Sequence, residues 1–264
     1  MPTIRAGNID LNVVDRGQGM PLLLAHGFPL DHTMWHAQID ELSKTQRVIA
    51  PDLRGFGASQ VTAGTVTMEQ FADDLTLLLD ALDVTEPVVF CGLSMGGYVA
   101  WQFWRRHASR LKALVLCDTK AKADTPEAAA GRMKMVEHVL SAGAEVVADA
   151  MPAKLFAPDT FQRQPQIVEE VKQTIRRTHP ESIAAALRGM AARPDMSGEL
   201  RQMAVPALVI VGEHDSISPV DEMREIANSL PRSQFVVISA AGHMSPLEEP
   251  ARFNEALGTF LRGL

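Results

Sequence analysis

Cysteine is nearly absent from this chain: 264 residues include two, Cys91 and Cys117. Both fall in apolar, strand-favouring runs. They read as reduced thiols buried in a core, not as a disulfide framework or a pair of metal ligands. Metal-binding spacing is missing too. There is no H-E-x-x-H and no cysteine–histidine pattern, so neither a metal nor another cofactor is expected. No basic stripe appears, and the net charge of −7 argues against a nucleic-acid partner. No apolar run is long enough to span a membrane. The first residues, Met1-Pro2-Thr3-Ile4-Arg5, lack the apolar centre of a secretory leader, which points to a cytoplasmic protein. Internal repeats are absent, and low complexity goes no further than a mild alanine bias. What is left is the composition of a soluble globular protein, 46% hydrophobic and 22% charged. Its length suits one α/β domain with an insertion. Nothing in it speaks to oligomeric state.

Strand signals come early and recur. Ile4 to Asp15 reads as a hairpin turning at Gly7-Asn8, with Ile9, Leu11 and Val13 alternating with polar residues. Short continuous apolar runs follow at Leu22-Leu23-Leu24-Ala25, Val48-Ile49-Ala50, Val88-Val89-Phe90-Cys91, Ala113 to Cys117, Pro206 to Gly212 and Phe235 to Ile238. Such runs suit strands buried on both faces. Helical spacing lies between them: Met34 to Leu42, a helix capped by Thr67 with Gln70 completing a capping box, the stretch after Ser94, one from Pro219 and one from Pro250 to Leu261. Alternation of this kind predicts a mostly parallel sheet covered by helices on both faces. The rhythm breaks once. From about Ala121 to Asp195 the chain is helical throughout, with breaks near Gly143, Pro152, Pro158 and Pro180. The division expected is a core of residues 1–119 and 197–264 and a helical insertion of residues 120–196.

The chemistry is announced at Gly92-Leu93-Ser94-Met95-Gly96. A strand runs into a serine flanked by glycines, and a helix starts at once. A nucleophile at the apex of such a turn sits in a strained conformation that bulky neighbours would obstruct. Its hydroxyl stands clear of the sheet, at a helix N-terminus with free N–H groups. Serine needs a base, and the base an orienting acid. Two later strands end in suitable groups: Asp215 in Gly212-Glu213-His214-Asp215, and His243 in Gly242-His243-Met244. Parallel strands present their C-terminal ends along one edge, so Ser94, Asp215 and His243 are expected to converge there. Glu213 and Asp118 are rival acids. His214 and His26 are rival histidines, and His26 is better read as fixing its own loop. For the oxyanion hole the N–H groups of Met95, just after the nucleophile, and Phe28, in the loop after the Leu22–Ala25 strand, are the candidates.

These stretches, with His26-Gly27-Phe28-Pro29 and Asp52 to Ser59, resemble those of α/β-hydrolase-fold serine hydrolases over nearly the whole chain. The order serine, aspartate, histidine is also theirs. The resemblance is greatest to the small single-lid branch: carboxylesterases, 3-oxoadipate enol-lactonases and cofactor-free perhydrolases. It implies an eight-stranded, mostly parallel sheet, a helical lid after strand six, and ester or lactone hydrolysis through an acyl-enzyme. Perhydrolysis, carbon–carbon bond hydrolysis and a non-enzymatic small-ligand receptor use the same fold. Enol-lactonases commonly carry a Trp-Phe pair in the lid, and Lys154-Leu155-Phe156 departs from that pattern. Serine at the elbow separates the chain from the dehalogenases and epoxide hydrolases of this fold.

For the substrate pocket the sequence nominates Trp35, Met133, Phe156, Ile217 and Met244. They are large and apolar, and they sit in the insertion or near the expected cleft. Arg132, Lys134, Arg176, Arg177, Arg188 and Arg193 of the insertion could hold a substrate carboxylate if any turned inward. With those facing solvent, small to medium uncharged esters are the expected substrates.

Overall fold

The computed structural model describes residues 2–264. One sheet of eight strands organises it: β1 (Thr3–Ala6), β2 (Ile9–Arg16), β3 (Pro21–Ala25), β4 (Arg47–Pro51), β5 (Val88–Leu93), β6 (Leu111–Cys117), β7 (Ala207–Gly212) and β8 (Ser233–Ile238). Their spatial order is β1-β2-β4-β3-β5-β6-β7-β8. β1 and β2 pair antiparallel with each other, and β2 pairs antiparallel with β4; every later pairing is parallel. Every residue of β3, β5 and β7 is buried. That is why these strands read as unbroken apolar runs: helices cover both sides, so no alternation is needed.

Three helices flank the sheet before and within its parallel part: α1 (His36–Leu42), α2 (Met68–Ala81) and α3 (Met95–His107); between β6 and β7 the long α4 (Pro126–Ala142) opens the insertion. Five more follow α4 before the chain re-enters the sheet: α5 (Glu145–Ala150), α6 (Pro152–Leu155), α7 (Thr160–Arg163), α8 (Pro165–Arg177) and α9 (Pro180–Ala191). The rest are α10 (Val220–Ser229), α11 (Ser245–Glu248) and α12 (Pro250–Arg262). Prolines open α4, α6, α8 and α9, where the missing N–H costs nothing. At the base of the insertion the Met196 N–H donates to Ala121 O at 2.8 Å, so its two ends leave and rejoin the core side by side. Among residues 2–264 no helix is long and apolar enough to cross a membrane.

Two local expectations need correction. The helix read from Met34 begins as a 3-10 turn (His32–Trp35) before α1. The Thr67 hydroxyl does accept the Gln70 N–H at 3.2 Å, but among the described residues no reciprocal bond from the Gln70 side chain completes the box. α11 has only four residues, too few to leave a periodicity in the sequence.

Candidate active site

Ser94 lies between β5 and α3, at φ 54° and ψ −111°. For a residue with a Cβ this is sparsely allowed backbone, held only where the surroundings over-determine it. Here the Ser94 N–H donates to Cys117 O at 2.9 Å. Its carbonyl accepts the Gly97 and Tyr98 N–H groups and the Thr119 hydroxyl, the last at 2.8 Å. The close packing needs the flanking glycine: a Cβ on Gly96 would stand 2.2 Å from Ala25 O. Thr119 drew no attention in the sequence. Its only signal was its position at the end of β6, beside the elbow.

The partner groups stand at the same edge of the sheet. His243 Nδ1 lies 2.8 Å from Asp215 Oδ2, and both side chains are buried. Asp215 Oδ1 accepts the N–H groups of Ile217 at 2.8 Å and Ser218 at 3.0 Å. Burial raises the Asp215 pKa, but the adjacent imidazole and these donors outweigh it, and the net shift is downward. An ionised carboxylate can only accept, so Nδ1 carries the proton and Nε2 is left as a base. Among the described residues no hydrogen bond joins the Ser94 hydroxyl to His243. Such bonds are often loose until substrate binds.

The rivals separate by burial. Glu213 and His214 are exposed. Asp118 is fully buried, and its carboxyl lies close to both partners: one ligand atom each from Asp118, Asp215 and His243 fall within 4.8 Å of one another. Asp118 Oδ1 accepts the Gly212 N–H at 2.8 Å, and Oδ2 is 2.6 Å from Ser245 Oγ. Burial, then the neighbouring Asp215 charge, push its pKa well above the ordinary carboxylate range. The two acids are therefore driven apart: the site favours the ionised form of Asp215 and the protonated form of Asp118.

Neither the Phe28 nor the Met95 N–H has an acceptor in the chain, among the described residues. Both are free to serve an external oxygen. The loop bearing Phe28 is fastened from below. His26 accepts the Leu53 N–H through Nε2 at 2.9 Å, and its Nδ1 lies 2.9 Å from Gly27 O. Burial lowers its pKa, so it stays neutral in the loop-fixing role read from the sequence. His32 Nδ1 lies 2.5 Å from Asp52 Oδ1, which also accepts the His32 N–H at 2.9 Å. Burial alone would raise the Asp52 pKa, but the His32 donors and charge and the Ala58 N–H bring it down to about 2. His32 is raised, because the Asp52 bond overcomes its own desolvation.

A folded-state pKa depressed below the unfolded 3.8 gives stability that is present above that value and lost as pH falls toward 2. The raised His32 gives the same pair an upper limit, as pH climbs through its folded pKa. Asp52→Asn should therefore lower the unfolding free energy by about 2 kcal/mol near pH 6. The gap to wild type should close by pH 2. Urea unfolding of both proteins across that range checks it, and a gap that does not change with pH would remove the Asp52 assignment.

The nominated pocket residues fare unevenly. Phe156 is buried and meets Phe161 edge-to-face at 6.2 Å between ring centroids. Ile217 is half-buried beside Asp215. Trp35 instead lies wholly in the core against Phe253 of α12, with no surface to offer a substrate. Met133 is 43% exposed on the outer side of α4, whose inward residues are Val136 and Val139. Met244 is enclosed, and its N–H donates to Leu155 O at 3.1 Å, seating the insertion. Nearness in sequence to a candidate residue did not give direction.

Most of the insertion's arginines are engaged. Arg132 and Arg193 both bond Asp124, and the buried Arg193 guanidinium stacks 4.2 Å above the Tyr98 ring. Arg176 pairs with Glu145 and Glu169, and Arg188 donates to Gly64 O. Arg177 donates to Thr174 Oγ1 and is exposed, as is Lys134. Arg177 lines a groove of about 460 Å³ with Leu30, Met34, Val171, Thr174 and Leu247; Ser94 and His243 do not line it.

Comparison with known proteins agrees with this architecture. Residues 20–250 match the family described as alpha/beta hydrolase fold. A thermophilic esterase from Thermogutta terrifontis, solved with malate bound, is 48% identical and superposes with a TM-score of 0.96, covering 99% of this chain and 97% of that one. The enol-lactonase from Burkholderia xenovorans is 30% identical with a TM-score of 0.92, covering 99% and 100% of the two chains. The 2-hydroxymuconate semialdehyde hydrolase of a Pseudomonas species is 30% identical over 276 residues, 98% of this chain and 92% of that protein.

Proposed function

The chain belongs to the alpha/beta hydrolase fold family, and from that premise we propose that it hydrolyses small to medium, mainly uncharged carboxylic esters through an acyl-enzyme. The observation that carries this reading is the strained Ser94 elbow at the sheet edge that also holds the 2.8 Å His243–Asp215 pair. In the proposed reaction His243 Nε2 takes the Ser94 proton as the hydroxyl oxygen attacks the ester carbonyl. Asp215 holds the imidazole in the correct tautomer and stabilises its charged form. The Phe28 and Met95 N–H groups receive the negative oxygen. His243 then protonates the leaving alcohol and activates the water that releases the acid.

The preference for uncharged substrates rests on the insertion. Its buried arginine is held by Asp124 and the Tyr98 ring, and an arginine already engaged has little left for a substrate carboxylate. Apolar contacts with the acyl group should then supply the selectivity, with each well-accommodated methylene adding up to ~0.8 kcal/mol of transition-state binding. kcat/KM is expected to rise from acetate through butyrate to hexanoate esters. A fluorophosphonate probe should label Ser94 in the folded protein; a folded protein that resists labelling would favour a binding role. Turnover of an anionic enol-lactone far above every neutral ester would replace the ester reading with a lactonase one. Cleavage of a carbon–carbon substrate in preference to both would move it to the third activity seen among the relatives.

A further inference from the structure

Glu248 ends α11, is 2% exposed, and faces none of the cations of the chain: among the described residues no lysine, arginine or histidine pairs with it. The donors to its side chain and carbonyl are neutral and come from two different segments. Oε1 accepts the Gly242 N–H at 2.8 Å. Oε2 accepts the Ala157 N–H at 2.8 Å and the Thr160 hydroxyl at 2.5 Å. Its backbone carbonyl accepts Gln164 Nε2 at 3.0 Å. We propose that Glu248 is a positioning residue, whose carboxylate locks the insertion at residues 156–160 to the loop that carries His243.

The argument is one of hydrogen-bond inventory. The Gly242 and Ala157 N–H groups both point at the Glu248 carboxylate, from two segments in close contact. A Cβ on Gly242 would lie 2.6 Å from Ala157 N, so the two backbones are in direct contact. Two donors cannot satisfy each other. A carboxylate, which only accepts, offers one oxygen to each side: Oε1 to Gly242 and Oε2 to Ala157 and Thr160. Burying one without a counter-ion is unfavourable, and folding alone would be served as well by an apolar side chain and relaxed loops. Burial raises the Glu248 pKa despite the donors, which is the electrostatic mark of that cost. The return is a rigid joint between the segment that carries Phe156 and the residue next to His243. Movement of the insertion is thereby transmitted to the base.

The proposal rests on His243 being the general base, and its test separates the two. In Glu248→Gln the amide has one acceptor oxygen where two are needed, so one arm of the joint is lost while size is kept. In Thr160→Val only the insertion arm is weakened. Glu248→Gln is expected to lower kcat for p-nitrophenyl butyrate about 10²-fold, the effect of a base displaced by roughly an ångström. Thr160→Val should act chiefly on KM, raising it about tenfold, the worth of one hydrogen bond to a charged group. In hydrogen exchange of the resting protein, Glu248→Gln should deprotect the Gly242 and Ala157 amides together. A purely structural Glu248 would lower Tm and leave kcat and KM of the folded protein unchanged, and that result overturns the proposal. If the Glu248 variant does not fold, an unchanged KM in Thr160→Val overturns it instead. Wild-type protein that turns over no ester sinks the hydrolase reading alone, since exchange still reports the joint.

Discussion

Ser94→Ala is expected to lower kcat for a p-nitrophenyl ester by about 10⁶-fold, with Tm unchanged. The size follows from what is removed. Without the hydroxyl oxygen there is no acyl-enzyme, and the oxyanion donors and binding contacts are left to act on water alone. The fold should not register the change. Ser94 fixes the elbow through its backbone, which donates to Cys117 O and accepts from Gly97, Tyr98 and Thr119. Alanine keeps each of those bonds and meets the same steric cost at φ 54°. Steady-state kinetics with a burst-phase control and a thermal melt decide the matter. A variant that melts like wild type and turns over ester within tenfold of it would remove Ser94 as the nucleophile.

The second large effect separates two buried acids. Asp215→Asn should cost about 10⁴-fold in kcat, because an asparagine amide facing Nδ1 favours the tautomer that leaves no base toward Ser94. Asp118→Asn should cost little. Burial and the Asp215 charge favour the protonated form of Asp118. An amide can copy the protonated acid: its oxygen accepts the Gly212 N–H and its NH₂ faces Asp215 and Ser245. The comparison is internal, since both residues sit at strand ends a few ångströms apart. If Asp118→Asn lost activity as deeply as Asp215→Asn, the charge would be shared between the two carboxyls and the assignment of Asp215 as the acid would fail.

The strands were legible because burial on both faces leaves a plain mark: Leu22 to Ala25 and Ala207 to Gly212 admit nothing polar. The candidate nucleophile, acid and base were legible for a related reason. Parallel strands put their following residues at one edge, so a serine, an aspartate and a histidine hundreds of atoms apart in the chain could be brought together on paper. Side-chain direction within the insertion was not legible. Met133 and Val136 are equally apolar, yet one faces solvent and the other the core, since α4 is nearly as apolar on its outer side as on its inner one. Trp35 was drawn toward the cleft by its neighbours in sequence and is held in the core by Phe253, more than two hundred residues later. Glu248 stands beside Glu249 in the sequence with nothing to set it apart. Its meaning lies in two N–H groups that only the tertiary structure brings to its two oxygens.

The Met196–Ala121 hydrogen bond has an evolutionary consequence. An insertion whose ends meet hangs from the sheet as a closed loop, and lengthening or replacing such a loop costs the fold little entropy. The insertion can therefore be exchanged while β6 and β7 keep their register, and the strand-end residues need not be rebuilt when it changes. A transplant cut at residues 121 and 196 should fold on this sheet. To work with this His243 loop it must bring with it two donors placed like the Ala157 N–H and the Thr160 hydroxyl.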